Sequence, residues 1–315
     1  MNFSRAVEGF LFHCSIERNL SEKSLKAYRI DLMQFRTFLK EYLGDAEVLP
    51  ADVNRDVLRT YLQRLTAQYK VKTVRRKIAV LHSLFGFFEQ EDMIVVSPFR
   101  KMRISLNKEK VLPRAVGMQK IRKLFAYLYR QKTSEQANPV LLRDIAVLEL
   151  LFATGVRVSE AVSLQVADVD LRSAKVCVMG KGSRERVLPI CSKESLESLK
   201  EYAHEYQEQM ESCDSFFVNR DGRRLSAQSV RFMLKKHVAD AGLGIHVTPH
   251  MLRHTVATEL VGNGADIRHV QHLLGHSSIV TTQIYTHVDS ASTRRILTPK
   301  HPRKNLNFQQ RRNEG

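Results

Sequence analysis

Cysteine is scarce in this chain: Cys14, Cys177, Cys191 and Cys213 are the only four in 315 residues, and no Cys-x-x-Cys spacing occurs among them. That pattern excludes a disulfide scaffold, fits a reduced, cytoplasmic protein, and argues against cysteine-held zinc. Long apolar runs are missing too. None approaches the roughly 20 residues of a membrane helix, and the opening Met1-Asn2-Phe3-Ser4-Arg5 contains no continuous apolar signal segment. Internal repeats and low-complexity segments are likewise absent. What the chain has in excess is positive charge, 50 Lys and Arg against 33 Asp and Glu, for a net +17. The excess is spread along the chain, so both halves are basic. A surface of this kind attracts a polyanion through phosphate contacts and counterion release, which favours nucleic acid over an anionic membrane and leaves DNA and RNA unseparated. With 43% hydrophobic residues and this length, two ordinary domains with proper cores are expected.

Helical periodicity organises the first hundred residues. After Ser21, a plausible cap, Leu25, Tyr28, Leu32, Phe35, Phe38 and Leu39 recur at steps of three and four until Gly44. The same period returns in Val57, Leu58, Tyr61, Leu62 and Leu65, and again in Val74, Ile78, Leu81, Leu84, Phe85 and Phe88. With the Phe3 to Phe12 stretch, these segments predict a helical bundle over residues 1–100. Lys70, Lys72, Arg75, Arg76 and Lys77 crowd the start of the last helix, where Thr73 is the expected cap. That end could grip a phosphate backbone, or the cluster could be a solvated charged face; both readings stand at this point.

Residues 101–113, between Ser97-Pro98 and Leu112-Pro113, are basic and short of periodic apolar positions, and are expected to form an interdomain linker near the polyanion. A second domain is expected over residues 114–298. Its Leu141 to Phe152 run predicts a buried helix that stops at Thr154-Gly155, with Arg157 just beyond and another helix from Ser159-Glu160. Alternation in residues 175–179 and 186–190 predicts two strands joined by a hairpin with Lys181 at its tip. Phe216 to Val218 reads as a further short strand, and residues 192–210, 226–241 and the later segments as helices. Residues 299–315 read as a loose, polar, basic tail. The fold class is therefore mainly α in two domains, a helical bundle followed by a mixed α+β domain with a small antiparallel sheet.

Phosphate chemistry is suggested by the residue types in the second domain. In Thr248-Pro249-His250-Met251-Leu252-Arg253-His254, Thr at a cap and Pro at the first helical position place His250 in a first turn, and Arg253 shares its face. A guanidinium beside a helix N-terminus can donate to two phosphoryl oxygens. His250 and His254 also have metal-pair spacing, with His269, His272 and His276 downstream, but the His-Glu-x-x-His pattern is missing and Arg253 would stand beside any cation. Arg157 taken alone would be a surface arginine or a partner of Glu160. Lys181 would pass for a turn lysine, although a hairpin lysine is suited to proton delivery. Tyr285 follows His276 by nine residues and is a potential nucleophile.

Four segments together resemble the tyrosine site-specific recombinases, and the Xer-type members most closely: Arg157-Val158-Ser159-Glu160, Gly180-Lys181-Gly182-Ser183-Arg184-Glu185-Arg186, Pro249-His250-Met251-Leu252-Arg253-His254-Thr255, and Leu273-Leu274-Gly275-His276-Ser277 through Tyr285. Order and spacing fit as well, and the first helices look like that family's core DNA-binding domain. The resemblance implies that Arg157, Lys181, His250, Arg253 and His276 surround one scissile DNA phosphate while Tyr285 attacks it. Glu160 would orient Arg157 without touching DNA. It also implies no cofactor or metal, a specific double-stranded DNA site, and a homotetramer bringing two sites together, with a partner recombinase left open.

Ala161 stands where the family usually has Leu. The segment from Ser290 to Leu297 is short, so the family's C-terminal helix is expected to be truncated, although His301-Pro302-Arg303 resembles the usual ending. A separate arm-binding domain before Ser21 and the extra segment of integron integrases are not expected. Two other functions share much of this pattern: DNA relaxation by a type IB topoisomerase, and a binding-only DNA regulator. The biological task, whether resolution or integration and excision of a mobile element, is left open by the sequence.

Overall fold

The computed structural model describes residues 1–44, 47–106, 115–134, 138–180, 185–275 and 297–306. Its chain divides into two compact units, Met1–Val111 and Leu112–Gly315. Among the described residues, no helix is long and apolar enough to cross a membrane.

The first unit contains α1 (Phe3–Ile16), α2 (Glu22–Leu43), α3 (Arg55–Gln68) and α4 (Val71–Gln90). Their starts follow from local chemistry: the side chains of Asn2, Ser21 and Asn54 accept first-turn backbone N–H groups that no helical carbonyl can reach. The expected apolar stripes meet in an aromatic-rich core, where Phe3 makes edge contacts with Phe35 and Phe88 at 5.8 Å between ring centroids. One expectation fails at α4. Its N-cap is Lys70 and no side chain caps it among the described residues, so Thr73 lies inside the first turn. Met102, Ile104 and Leu106, within the expected linker, pack against this same core.

The second unit holds α5 (Met118–Ser134), α6 (Pro139–Thr154), α7 (Val158–Ala161), β1 (Val169–Asp170), β2 (Lys175–Met179), β3 (Glu185–Pro189), α8 (Lys193–Glu205), α9 (Gln207–Cys213), α10 (Ala227–Asp240), α11 (Pro249–Gly262) and α12 (Ile267–Leu274). Helix α6 is the hub. Its residues 143–154 are all buried, and α5, α8, α10 and α11 pack around it, which explains its nearly continuous apolar sequence. The three strands form one antiparallel sheet in the order β1-β2-β3, with Val178 opposite Arg186 and Met179 opposite Glu185. The helical domain followed by a catalytic-type domain with a small antiparallel sheet agrees with the expected fold class. Helix α5 is not among the expected elements. Phe216 to Val218 forms only an isolated bridge, Val218 to Arg224, in place of a strand.

The expected loose tail needs correcting over its described part, residues 299–306. His301, Pro302, Arg303 and Leu306 are buried, and Arg303 forms an ion pair with Glu149 of α6. Polarity alone misleads for this segment, because a buried carboxylate on α6 supplies the partner that makes a polar residue buriable. Residues 307–315 lie outside the described residues.

Candidate active site

Two glycines shape the floor of the site. Gly155 ends α6 with φ +62°, and a Cβ there would lie 2.7 Å from Leu274 Cδ2. Gly275 ends α12 with φ +60°, and a Cβ there would lie 3.1 Å from the Arg186 guanidinium carbon. Only glycine meets both demands, left-handed backbone and close approach. The end of α6 and the end of α12 therefore meet closely, bringing Arg157 to the carboxyl terminus of α12.

Three guanidiniums converge on that terminus. Arg186 Nε donates to the Leu273 carbonyl at 3.3 Å, Arg253 Nη2 donates to the Leu274 carbonyl, and Arg157 Nη2 donates to the Gly275 carbonyl at 2.9 Å. Arg253 also donates to the Gly155 carbonyl at 2.7 Å. Carbonyls at a helix C-terminus lack intrahelical partners and sit at the negative end of the macrodipole, so cations are favoured there. One carboxylate joins the group. Glu160, in α7, accepts from Arg157 Nη1 at 2.7 Å, from the Arg157 backbone N–H at 3.0 Å, and from Arg186 at 2.7 and 3.2 Å. Burial alone would raise the pKa of Glu160, but hydrogen bonds from Arg186 and Arg157 outweigh it and hold the carboxyl below its usual range. Among the described residues, three cations against one anion leave a local excess of two positive charges.

Arg253 is buried, and desolvation followed by the nearby Arg157 charge lowers its pKa to about 10. It stays cationic at neutral pH. The Arg157 side chain is 40% exposed and so faces both its scaffold and solvent. His250 is exposed in the first turn of α11; as expected, Thr248 is the cap, accepting from the Met251 N–H at 3.2 Å, and Pro249 opens the helix. Thus the structure unites Arg157, Glu160 and Arg253 directly and puts His250 one turn before Arg253. Lys181, His276 and Tyr285 lie outside the described residues. Arg186 has no role in the sequence reading. Its signal was available: it shares the inward face of the hairpin with Val178 and Leu188, and a charge on a core-facing strand position requires a partner.

In the first unit the basic cluster separates into two groups. Lys70, Lys72 and Arg75 are exposed, with Arg75 Nη2 donating to the Leu106 carbonyl at 3.0 Å. Lys77 is buried, its Nζ 2.8 Å from Asp31 Oδ1 and 5.0 Å from the Tyr69 ring centroid. It is turned into the domain, a correction to its place among the expected DNA contacts. Arg76 also pairs with Asp31 while remaining 46% exposed.

A cluster of guanidiniums around one carboxylate, on a basic, mainly helical protein, is what this geometry shows. Residues 119–292 match the phage integrase family, and residues 7–92 match the phage integrase N-terminal SAM-like domain. The chain belongs to that family and is a tyrosine recombinase of Xer-like type. It is 38% identical over 310 residues to a tyrosine recombinase of Agathobacter rectalis, covering 98% of this chain and 99% of the relative. It is 36% identical over 309 residues to tyrosine recombinase XerC of Bacillus subtilis, covering 96% and 98% respectively. The fold is shared with XerH recombinase bound to a palindromic difH substrate in a post-cleavage complex, at TM-score 0.67 and 24% identity over 90% of this chain and 82% of that one. It is also shared with a lambda integrase tetramer bound to a Holliday junction, at TM-score 0.66 and 17% identity over 92% and 80%.

Proposed function

We propose that this enzyme cuts and rejoins DNA at specific sites, with Arg157 and Arg253 clamping the scissile phosphate and Tyr285 attacking it. The observation that supports this most is the pair of guanidiniums held on successive carbonyls, Gly275 and Leu274, in a cluster with excess positive charge among the described residues. A phosphodiester carries one negative charge, and more develops on its oxygens in the in-line transition state. Preorganised arginines meet that charge without reorganising.

A phenol with an ordinary pKa of about 10 needs help to ionise at neutral pH. His250 is assigned to accept the Tyr285 proton, Lys181 to protonate the departing 5′ oxygen, and His276 to hydrogen-bond a phosphoryl oxygen. The phosphorus–O5′ bond breaks as the tyrosine–phosphorus bond forms, leaving a 3′-phosphotyrosine and a 5′-hydroxyl. One phosphoester replaces another, so the step requires neither ATP nor a metal. Attack by a 5′-hydroxyl from a second duplex reverses it and joins recombinant strands. Four copies on two sites would perform this exchange, with Lys70, Lys72, Arg75 and Arg76 contributing backbone contacts.

Tyr285→Phe should bind a recombination site like the unaltered enzyme and form no covalent complex on a nicked site that traps cleaved strands. Covalent protein–DNA product from that variant rejects the assignment. Relaxation of a plasmid lacking any preferred site by the unaltered enzyme, without strand exchange between sites, would favour topoisomerase activity instead.

A further inference from the structure

We propose that Arg186 is a positioning residue for the phosphate clamp, acting through Glu160 and the last turn of α12; the proposal rests on the reading of Arg157 as part of that clamp. Its side chain is only 8% exposed, so it is placed to organise other groups and not to touch DNA. Three connections give it that role. It grips both Glu160 oxygens with a guanidinium fork, it donates to the Leu273 carbonyl, and it lies against Gly275, whose carbonyl holds Arg157.

Charge explains why a second cation is needed on Glu160. Without Arg186, the Glu160 carboxylate would have Arg157 as its remaining cationic partner within this group, and the two would neutralise each other. The local excess would fall from two positive charges to one. With Arg186 in place, the carboxylate is shared, and Arg157 keeps both its orientation and attraction for a phosphate. Lysine could restore the charge but would lose the two-pronged geometry. Arg186 also follows Glu185, the partner of Met179 in the last register pair before the hairpin connection, so one strand residue ties the β2–β3 ladder to the clamp.

The experiment compares single-turnover cleavage of an ordinary site with cleavage of one whose scissile phosphodiester is replaced by an uncharged methylphosphonate. Arg186→Gln should bind the site within about 3-fold of the unaltered protein yet cleave the ordinary phosphodiester about 100-fold more slowly, the scale of losing one preorganised electrostatic contact. On the uncharged site its deficit should shrink below about 5-fold, because less charge needs to be met. Arg186→Lys should lie between, and Glu160→Gln with Arg186→Gln should recover part of the loss by removing anion and cation together. Arg157→Gln is run alongside. An Arg186→Gln deficit equal on both sites, while that of Arg157→Gln shrinks, overturns the positioning role alone; a deficit for Arg157→Gln that is also unchanged overturns the clamp reading beneath it. If Arg186→Gln fails to fold, the same comparison is made with Arg186→Lys, where equal deficits on the two sites overturn the positioning role in the same way.

Discussion

Two carboxylates of the second unit, Glu149 and Glu160, each meet arginine, but in opposite settings. Glu149 is fully buried in α6 and is enclosed by Arg303 at 2.8 and 2.9 Å, the Tyr129 hydroxyl at 2.7 Å and Ser195 Oγ at 2.5 Å. Among the described residues Arg303 is the cation paired with this anion, and the neutral Tyr129 and Ser195 hydroxyls also donate to it. Glu160 instead shares its single charge between Arg157 and Arg186 beside a third guanidinium, Arg253. The first arrangement is closed and joins the tail to the hub helix. The second leaves positive charge and a partly exposed arginine facing outward. Burial therefore does not distinguish these two arrangements; the ratio of cations to carboxylate among the described residues does.

The sharpest way to break that contrast is to unpair the closed site. Arg303→Met leaves a carboxylate inside the protein without its cation, and should cost about 3–5 kcal/mol of unfolding free energy in urea titration of the full chain. Replacing both members by methionine should return most of that loss, because two charges no longer have to be desolvated. A single-variant loss under about 1 kcal/mol would mean that the pair behaves like an exposed one and that the contrast with Glu160 is false.

A smaller effect tests the same socket through pH. His301 is buried beside Arg303; desolvation first, then that positive neighbour, lowers its pKa to about 4. An unfolded histidine titrates near 6.5. Between these values the unfolded chain binds more protons, so stability rises with pH in this window. His301 thus contributes its full share above about pH 6.5, and the share is lost as pH falls towards about 4. Going from pH 7 to pH 5 should remove about 2 kcal/mol that His301→Gln does not lose. Parallel pH slopes for the two proteins would place His301 outside the titrating set.

Much of this was legible in sequence because local rules and packing agreed. The stripes of α2, α3 and α4, the stop at Gly155, and the Thr248-Pro249 start of α11 each depend on neighbours in sequence. Arg157, Glu160 and Arg253 were identifiable as residue types in motifs, but sequence could not show that three consecutive carbonyls at the end of α12 collect the guanidiniums. The misplaced features share a cause. Lys77 is withdrawn from solvent by Asp31, 46 residues earlier, and Arg303 by Glu149, 154 residues earlier. A lone glutamate within the apolar Leu148-Glu149-Leu150 run did signal a missing partner, yet nothing local pointed to the tail.

The least disruptive test acts on the open cluster through backbone alone. Gly275→Ala keeps every charge, but the left-handed conformation disfavours alanine by about 1–2 kcal/mol, and its methyl would crowd the Arg186 guanidinium. The guanidinium must retreat by a few tenths of an ångström or α12 must shift at its end, and either movement disturbs the carbonyls that hold Arg157 and Arg253. Cleavage should therefore fall about 10-fold, a smaller loss than deleting a contact outright. Gly262 in α11 provides the control, since a Cβ there meets nothing within 4 Å and the backbone is helical. Gly262→Ala should be neutral or slightly stabilising and should cleave normally. Equal cleavage rates for the two alanine variants in a suicide-substrate assay would show that the end of α12 tolerates displacement, and that the open cluster is less rigidly organised than its hydrogen bonds imply.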